Sequence, residues 1–168
     1  MENLKRINAL PAGEAEAEFL KCCGSAKWAK KMAAGRPYAD AAALSSAAEK
    51  TWYGLRQDEW LEAFASHPVI GDVDSLRAKF SGTRQWATHE QAGVGGANEA
   101  ILTALAEGNV EYEKKFGYIF IVCATGKSAS EMLATLQKRL NNDRQSELIM
   151  AAEEQRKIMR LRLEKLLQ

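Results

Sequence analysis

The sequence shows no bias toward charge of either sign. Its 168 residues include 23 Lys and Arg against 22 Asp and Glu, which gives a net charge of +1. Proteins that bind nucleic acid or anionic membranes through surface charge carry a clear excess of basic residues. The composition therefore predicts no nucleic-acid or membrane partner and favours a small neutral or modestly anionic ligand.

Cysteine is also scarce, with Cys22, Cys23 and Cys123 as the complete set. Three cysteines cannot form a full disulfide framework, and adjacent cysteines do not bridge easily. The first residues lack the apolar core of a signal peptide. Together these features predict a protein of a reducing compartment, and we expect it to be cytoplasmic.

Long apolar runs are missing as well, since no run approaches the roughly 20 residues that a membrane helix needs. The hydrophobic fraction of 46% and the charged fraction of 27% are those of an ordinary globular protein. The length is sufficient for one sizeable core. We therefore expect a single domain over residues 1–168.

Strands are nearly absent from the pattern. Residues 119–124 (IFIVCA) form the best strand candidate, but one isolated strand cannot form a sheet, so we interpret them as a buried extended or irregular segment. The following GKS at 126–128 is no P-loop, because Ile121 occupies the position of the required first glycine. Likewise, GVGG at 93–96 lacks the order of a dinucleotide-binding loop. The sequence thus predicts an all-α fold of about eight helices with no sheet.

Helical spacing of apolar residues predicts where these helices lie. The first runs from Glu14 to Cys23 and stops at Gly24. The others contain Trp28 and Met32, Leu44 to Leu55, Trp60 to Phe64 after an Asp58 cap, Ile101 to Leu105 up to Gly108, Tyr112 and Phe116 after an Asn109 cap, Met132 to Leu140 after a Ser128–Glu131 capping box, and Leu148 to Leu166 from Asp143 onward.

The organising stretch is AFASHPVIGD at 63–72, where His67 directly precedes Pro68. A residue before proline is pushed out of the helical region, so the preceding helix should end by Ser66 or His67. Histidine has the side chain whose unperturbed pKa lies closest to neutral, which suits proton transfer. The alternative is a structural histidine that caps the last carbonyls of the helix.

Two other features contribute to the candidate site. The cluster WATHEQ at 86–91 brings a second imidazole, a carboxylate and an amide close together in sequence. Arg162 lies on the apolar stripe of the last helix, where a guanidinium must find an anion or remain poorly solvated. Arg162 is therefore a candidate anion ligand, with snorkelling or a structural ion pair as the alternative.

Several ordered motifs together resemble the 2-oxo-4-hydroxy-4-carboxy-5-ureidoimidazoline (OHCU) decarboxylases of urate degradation. They are HPxIGD from His67, Glu90–Gln91, Asn109 with Tyr112 and the KFG at 115–117, RLxN from Arg139, Glu147–Leu148, Lys157–Ile158 and the LRL at 161–163. The resemblance covers nearly the whole chain. It implies an all-helical enzyme, usually a homodimer, that needs no cofactor or metal and forms (S)-allantoin.

The resemblance also implies the site residues. His67 and Glu90 match the catalytic pair. From the chemistry of the reaction we expect His67 to donate the proton and Glu90 to hold the hydroxyl or ureido side of the substrate. The substrate-binding positions are Pro68, Ala87, Thr88, His89, Gln91, Ile119, Phe120, Ile121, Val122, Cys123 and Arg162. One departure is Ala87, which stands where the family usually has serine, so a hydroxyl contact is missing unless Thr88 replaces it.

Two alternatives remain open at this point. A helical adaptor would bind a protein partner through an apolar groove, and the corner at His67 would then be only structural. A metal-dependent lyase is the other, although His67, His89 and Glu90 do not show a recognised spacing of metal ligands.

Overall fold

A computed structural model describes residues 2–68, 72–80 and 94–168, the last range with side chains from residue 98 onward. Within these ranges the chain forms nine α-helices and no strand, which confirms the all-α prediction. The helices are α1 (Glu2–Ala9), α2 (Ala12–Cys22), α3 (Ala26–Ala34), α4 (Ala41–Tyr53), α5 (Gln57–Ala65), α6 (Val73–Phe80), α7 (Val94–Phe116), α8 (Ala129–Leu140) and α9 (Arg144–Leu166). None of these helices is both long and apolar enough to cross a membrane.

The chain divides into two compact units. The first contains Met1–His67 and Ala151–Gln168, and the second contains Pro68–Met150. Helices α1 to α5 and most of α9 belong to the first unit, whereas α6 to α8 belong to the second. That all 168 residues act as one domain stays a prediction.

Tryptophans join the helices of the first unit. The indole N–H of Trp28 on α3 donates to the carbonyl of Ala48 at 3.0 Å, and that of Trp52 on α4 donates to Ala152 on α9 at 3.0 Å. Trp28 and Trp52 are fully buried, and burying a large apolar side chain contributes roughly 1.5–3 kcal/mol. Each indole N–H has a hydrogen-bond acceptor, so burying the two side chains leaves no donor unpaired and the stabilisation is kept.

Helix α5 leads to the histidine corner and packs on α4. The indole of Trp60 donates to the carbonyl of Trp52 at 3.0 Å, and the two rings stack at 5.8 Å. The helix begins two residues earlier than the predicted Asp58 cap requires. Glu59 accepts the backbone N–H of Arg56 instead, and Asp58 lies in the first turn, paired with the Arg56 guanidinium.

The second unit has its own core, and one sequence prediction there was wrong. Gly108 does not end a helix, and Asn109 does not begin one, since α7 continues from Val94 to Phe116. A Cβ atom added to Gly108 would lie 2.6 Å from Cδ2 of Leu136 on α8. The glycine thus allows α7 and α8 to approach closely, a tertiary requirement that resembles a helix stop in the sequence.

The predicted starts of the last two helices are confirmed. Ser128 and Glu131 form the expected capping box of α8, with backbone to side-chain distances of 2.8 and 3.1 Å. Asp143 accepts the backbone N–H of Ser146 at 2.9 Å in front of α9. The apolar stripe of α9 is buried as predicted, with Ala152, Gln155 and Met159 in the interior.

Candidate active site

His67 lies at the corner that the proline motif predicts. Helix α5 ends at Ala65, and the backbone N–H of His67 donates to the carbonyl of Phe64 at 3.2 Å. The ring does not bind the last carbonyls of α5. Its Nε2 instead contacts Oε1 of Gln155 on α9, and the imidazole is half-buried.

Gln155 is a fully buried amide on the stripe of α9, between the apolar residues Ala152 and Met159. Its oxygen can only accept a hydrogen bond, so the contact requires a hydrogen on Nε2 of His67. The neutral ring then carries its lone pair on Nδ1. A polar side chain among the apolar residues of this stripe is the sequence signal that could have identified Gln155.

Arg162 lies two turns beyond Gln155, which places both residues on one face of α9. The residue is half-buried, and its guanidinium makes one long hydrogen bond, 3.5 Å, to the carbonyl of Lys21 at the end of α2. Within residues 2–68, 72–80 and 98–168 it forms no salt bridge with a carboxylate. The structural ion pair considered for Arg162 is therefore not found in this part of the chain.

The surroundings lower the pKa of His67 below its ordinary value of 6.5. Burial is the largest cause, because it disfavours the charged ring; the positive charge of Arg162 acts in the same direction, while the hydrogen bond to Gln155 raises the pKa. The imidazole is thus mainly neutral at pH 7. Once protonated, it is a stronger acid than an exposed histidine.

Gly24 is a second residue whose role the sequence did not reveal. It follows α2 and was interpreted as a helix stop, yet a Cβ atom added there would lie 2.2 Å from the Cβ of Ser66. Ser66 immediately precedes His67, so Gly24 makes room for the corner to pack. No pattern within the local sequence predicts a contact of this kind.

Cys22 and Cys23 lie in the interior near this corner and form no disulfide. Burial raises the pKa of Cys22 to about 11 and that of Cys23 to about 12. Both side chains therefore remain protonated thiols at neutral pH and serve as small apolar groups rather than nucleophiles.

The segment from Ile119 to Cys123 belongs to the second unit and has no helix or strand, as predicted. Ile121 is its buried residue, and its carbonyl accepts a hydrogen bond from Nη1 of Arg139 at 2.6 Å. Arg139 is itself buried and paired with Glu147, whose carboxylate also accepts the hydroxyl of Tyr112. A buried ion pair thus holds the main chain of this segment in place.

Several predicted site residues fall outside the described ranges. They are Ala87, Thr88, His89, Glu90 and Gln91. That Glu90 and Gln91 lie close to His67 therefore stays a prediction. Pro68 follows His67 and is exposed. Among the residues that the structure describes, no group of three or more His, Cys, Asp or Glu side chains could hold a metal ion.

Comparison with known proteins gives consistent results. Residues 8–164 match the sequence profile of a family described as OHCU decarboxylase. An Arabidopsis thaliana protein named uric acid degradation bifunctional protein TTL is 38% identical over 151 residues, which cover 90% of this chain and 47% of that protein. A bifunctional uric acid degradation protein from Bacillus sp. is 28% identical and is covered over 32% of its length. The chain thus spans less than half of these two relatives.

Solved structures extend this likeness to three dimensions. A crystal structure of OHCU decarboxylase in the presence of (S)-allantoin matches with a TM-score of 0.72 and 38% identity, covering 89% of this chain and 96% of that chain. A crystal structure of (S)-allantoin synthase matches with the same TM-score at 19% identity, covering 98% of this chain and 53% of that chain. At that identity the second match supports the fold alone.

Proposed function

Because the chain belongs to the OHCU decarboxylase family, we propose that it converts 2-oxo-4-hydroxy-4-carboxy-5-ureidoimidazoline to (S)-allantoin in urate degradation. The observation that carries this proposal is the likeness to a solved OHCU decarboxylase over 96% of that chain at 38% identity. The corner at His67 supplies an acid–base group of the type that the reaction needs. The helical adaptor finds no support in the comparisons.

The chemistry follows from the substrate. The bond between the ring carbon and its carboxylate breaks, CO2 leaves, and the electron pair moves across the adjacent C=N bond to the ring nitrogen, which takes a proton. The hydroxyl then loses its proton as the carbonyl forms, and the neighbouring carbon gains a proton. One proton is consumed overall. The ring accepts the electrons, so no pyridoxal, thiamine or metal is required for their delocalisation.

His67 is the proposed proton donor to the ring carbon. The lowered pKa of His67 supports this role, because it makes the protonated imidazole a stronger acid that releases its proton more readily. The rigid corner also supports this role, since delivery of a proton to one face of the carbon requires a donor in a fixed position. Stereospecific formation of the S product depends on that fixed position.

Arg162 is the proposed ligand of an anionic or carbonyl oxygen of the substrate. The residue is half-buried and its guanidinium forms no salt bridge within the described residues, so its charge is available for an anion. We propose that Glu90 holds the hydroxyl or ureido side. The remaining proposed substrate contacts are Pro68, Ala87, Thr88, His89, Gln91 and the main chain from Ile119 to Cys123.

We further propose that the protein is a homodimer. Ile149 and Met150, which are adjacent on α9, are 56% and 43% exposed, and a second copy would cover this apolar area. Sedimentation equilibrium should give a mass of two chains. Ile149→Glu should then shift the mass to that of one chain, whereas a single-chain mass for the wild type would contradict the proposal.

A cytoplasmic location and a single domain are also part of the proposal. Cys22 and Cys23 are thiols of the interior, which suits a reducing compartment. A single cooperative unfolding transition, with the same midpoint by far-UV and near-UV circular dichroism, would support one domain. Two separate transitions would contradict it.

The proposed activity is tested with freshly generated urate-oxidation intermediate. Optically active allantoin is followed by circular dichroism with and without the protein. We expect the protein to accelerate formation of the S enantiomer, with no loss on treatment with a strong chelator. A rate equal to the spontaneous one contradicts the proposal, and loss on chelation with recovery on adding zinc supports a metal-dependent lyase instead.

A further inference from the structure

Gln155 is the polar group whose position the proposed reaction does not by itself explain. It is fully buried, and its side chain is followed one turn later on the same stripe by Met159. Its Nε2 finds no hydrogen-bond partner among the described residues. A buried donor without a partner lowers stability, so an apolar side chain of similar size would be the more stable choice here.

A hydrogen bond made by the oxygen of the same amide explains why a polar residue occupies this position. It accepts from Nε2 of His67 across 88 positions of sequence. In the opposite amide orientation, the NH2 group would have to donate to a lone pair on Nε2. That bond would break whenever the ring became protonated, because both ring nitrogens are then donors. Only the carbonyl contact survives in both protonation states of His67.

We propose that Gln155 is a positioning residue that fixes the tautomer of His67, with hydrogen on Nε2, and thereby makes Nδ1 the nitrogen that transfers the proton. The inference rests on the proposed decarboxylation. In the protonated ring, Nε2 stays bonded to Gln155 while Nδ1 carries the proton to be delivered. After delivery, Nδ1 holds the lone pair and the ring has not moved.

Two neighbouring features support a fixed ring. Ser66, directly before His67, is confined by Gly24, and Pro68 directly after it restricts the backbone. Because the backbone is held on both sides, only the side-chain torsion angles of His67 are still free to change the orientation of the ring. The amide of Gln155 sets it, in the way that a carboxylate or carbonyl orients a catalytic or metal-binding histidine elsewhere.

The first test measures the tautomer and needs no activity. Nitrogen-15 NMR distinguishes a protonated from an unprotonated ring nitrogen, and the chain has two histidines, so the spectrum of His67 is assigned by comparison with His89→Asn. We expect neutral His67 to carry its hydrogen on Nε2 alone. A spectrum with hydrogen on Nδ1 overturns the proposal, whether or not the protein proves to be a decarboxylase.

The second test uses three variants. Gln155→Met keeps the volume but removes the acceptor, and it should mix the tautomers and lower kcat about 10–100-fold, as loss of the partner of a functional histidine does elsewhere. KM should be unchanged because Gln155 does not bind substrate. Gln155→Glu restores an acceptor and should recover the Nε2-H tautomer and most of kcat. Gln137→Met, the same change at an exposed position of α8, should alter neither quantity.

A purely structural role predicts a different pattern. The melting temperature would then fall in Gln155→Met, with the tautomer and the kcat of the folded protein unchanged. We expect the reverse, since the substitution removes a buried unpaired N–H and should leave the melting temperature unchanged or raised. Retention of the Nε2-H tautomer and of wild-type kcat in folded Gln155→Met overturns the proposal. If the wild type shows the Nε2-H tautomer but no turnover of the intermediate, the proposed function fails while the assignment of the hydrogen bond stands.

Discussion

Gly24 packs directly against Ser66, the residue that precedes His67. A Cβ atom added to Gly24 would lie 2.2 Å from the Cβ of Ser66 and 2.1 Å from its Oγ. Carbon atoms in contact are normally about 3.5–4.0 Å apart. The Cβ of Ser66 is bonded to the backbone and cannot rotate away, so any larger residue at position 24 must displace the chain next to the histidine.

We therefore expect Gly24→Ala to destabilise the protein by about 1–3 kcal/mol, the usual cost of overpacking, and to lower kcat by moving the corner. Urea unfolding measures the first effect and the allantoin assay the second. Gly13→Ala is the matched control. No atom lies within 4 Å of a Cβ there, so this exchange within α2 should be neutral or stabilise by up to about 1 kcal/mol.

A double variant distinguishes the contact from other effects. Ser66→Gly removes both atoms that the new Cβ would meet, so Gly24→Ala should cost less in that background than in the wild type. An equal cost in both backgrounds would show that the destabilisation does not come from the contact with Ser66.

The buried pair Arg139–Glu147 gives a second prediction. Their Nη2 and Oε1 atoms are 2.5 Å apart, with 4% and 0% of the side chains exposed. Glu147→Gln leaves the guanidinium buried without an ionic partner and should destabilise the protein by about 3–5 kcal/mol. Tyr112→Phe removes a hydroxyl that donates to the same carboxylate and should cost less, about 1.5–3 kcal/mol. Urea unfolding of both variants gives the comparison, and a smaller loss in Glu147→Gln than in Tyr112→Phe would contradict this account.

Local signals predicted several helix boundaries, but not α1 and α6. The capping box of Ser128 and Glu131 and the Asp143 cap each involve residues within three positions of one another, so sequence alone was enough to locate them. The proline after His67 likewise predicted where α5 ends. The mistaken Asp58 cap was a shift of two residues within the same turn.

The larger errors of prediction occurred where a residue's role depends on a tertiary contact. Gly108 resembles a helix stop locally, but it is required by Leu136 on another helix. Gln155 resembles one more residue of the apolar stripe until its contact with His67 is known. These roles depend on residues that are distant in the chain, and the sequence of one element does not contain them. In the site, the sequence predicted that His67 lies at the end of a helix, but it did not predict which side chain orients the imidazole ring.

The lowered pKa of His67 predicts a pH-dependent contribution to stability. Its unfolded value is near 6.5 and its folded value is lower, so the unfolded chain binds more protons between the two. The contribution is fully present above about pH 6.5 and is lost as the pH falls through the folded pKa. Burial and the charge of Arg162 both favour the neutral ring.

Comparison with His67→Asn isolates this effect, because carboxylates titrate in both proteins and cancel in the difference. We expect the melting temperature of the wild type minus that of the variant to rise as the pH increases from the folded pKa of His67 to about 6.5. A difference that is constant with pH, or that falls, would show that the folded pKa of His67 is not lowered.

His67 itself carries the central claim. Proton transfer by a positioned side chain is typically worth about 10²–10⁴-fold in rate. Asparagine keeps a polar group before Pro68 and the proline sets the corner, so His67→Asn should fold like the wild type and lose turnover by about that factor. His89→Asn should lose less, since His89 is proposed to lie at the substrate but not to transfer a proton.

The most direct measurement is the rate of (S)-allantoin formation by wild type and His67→Asn, followed by circular dichroism at equal concentrations of folded protein and compared with the spontaneous rate. A thermal melt of each sample confirms that it is folded. We predict a clear acceleration by the wild type and a loss of about 10²–10⁴-fold in the folded variant. A folded His67→Asn protein that retains most of the wild-type rate would contradict the account.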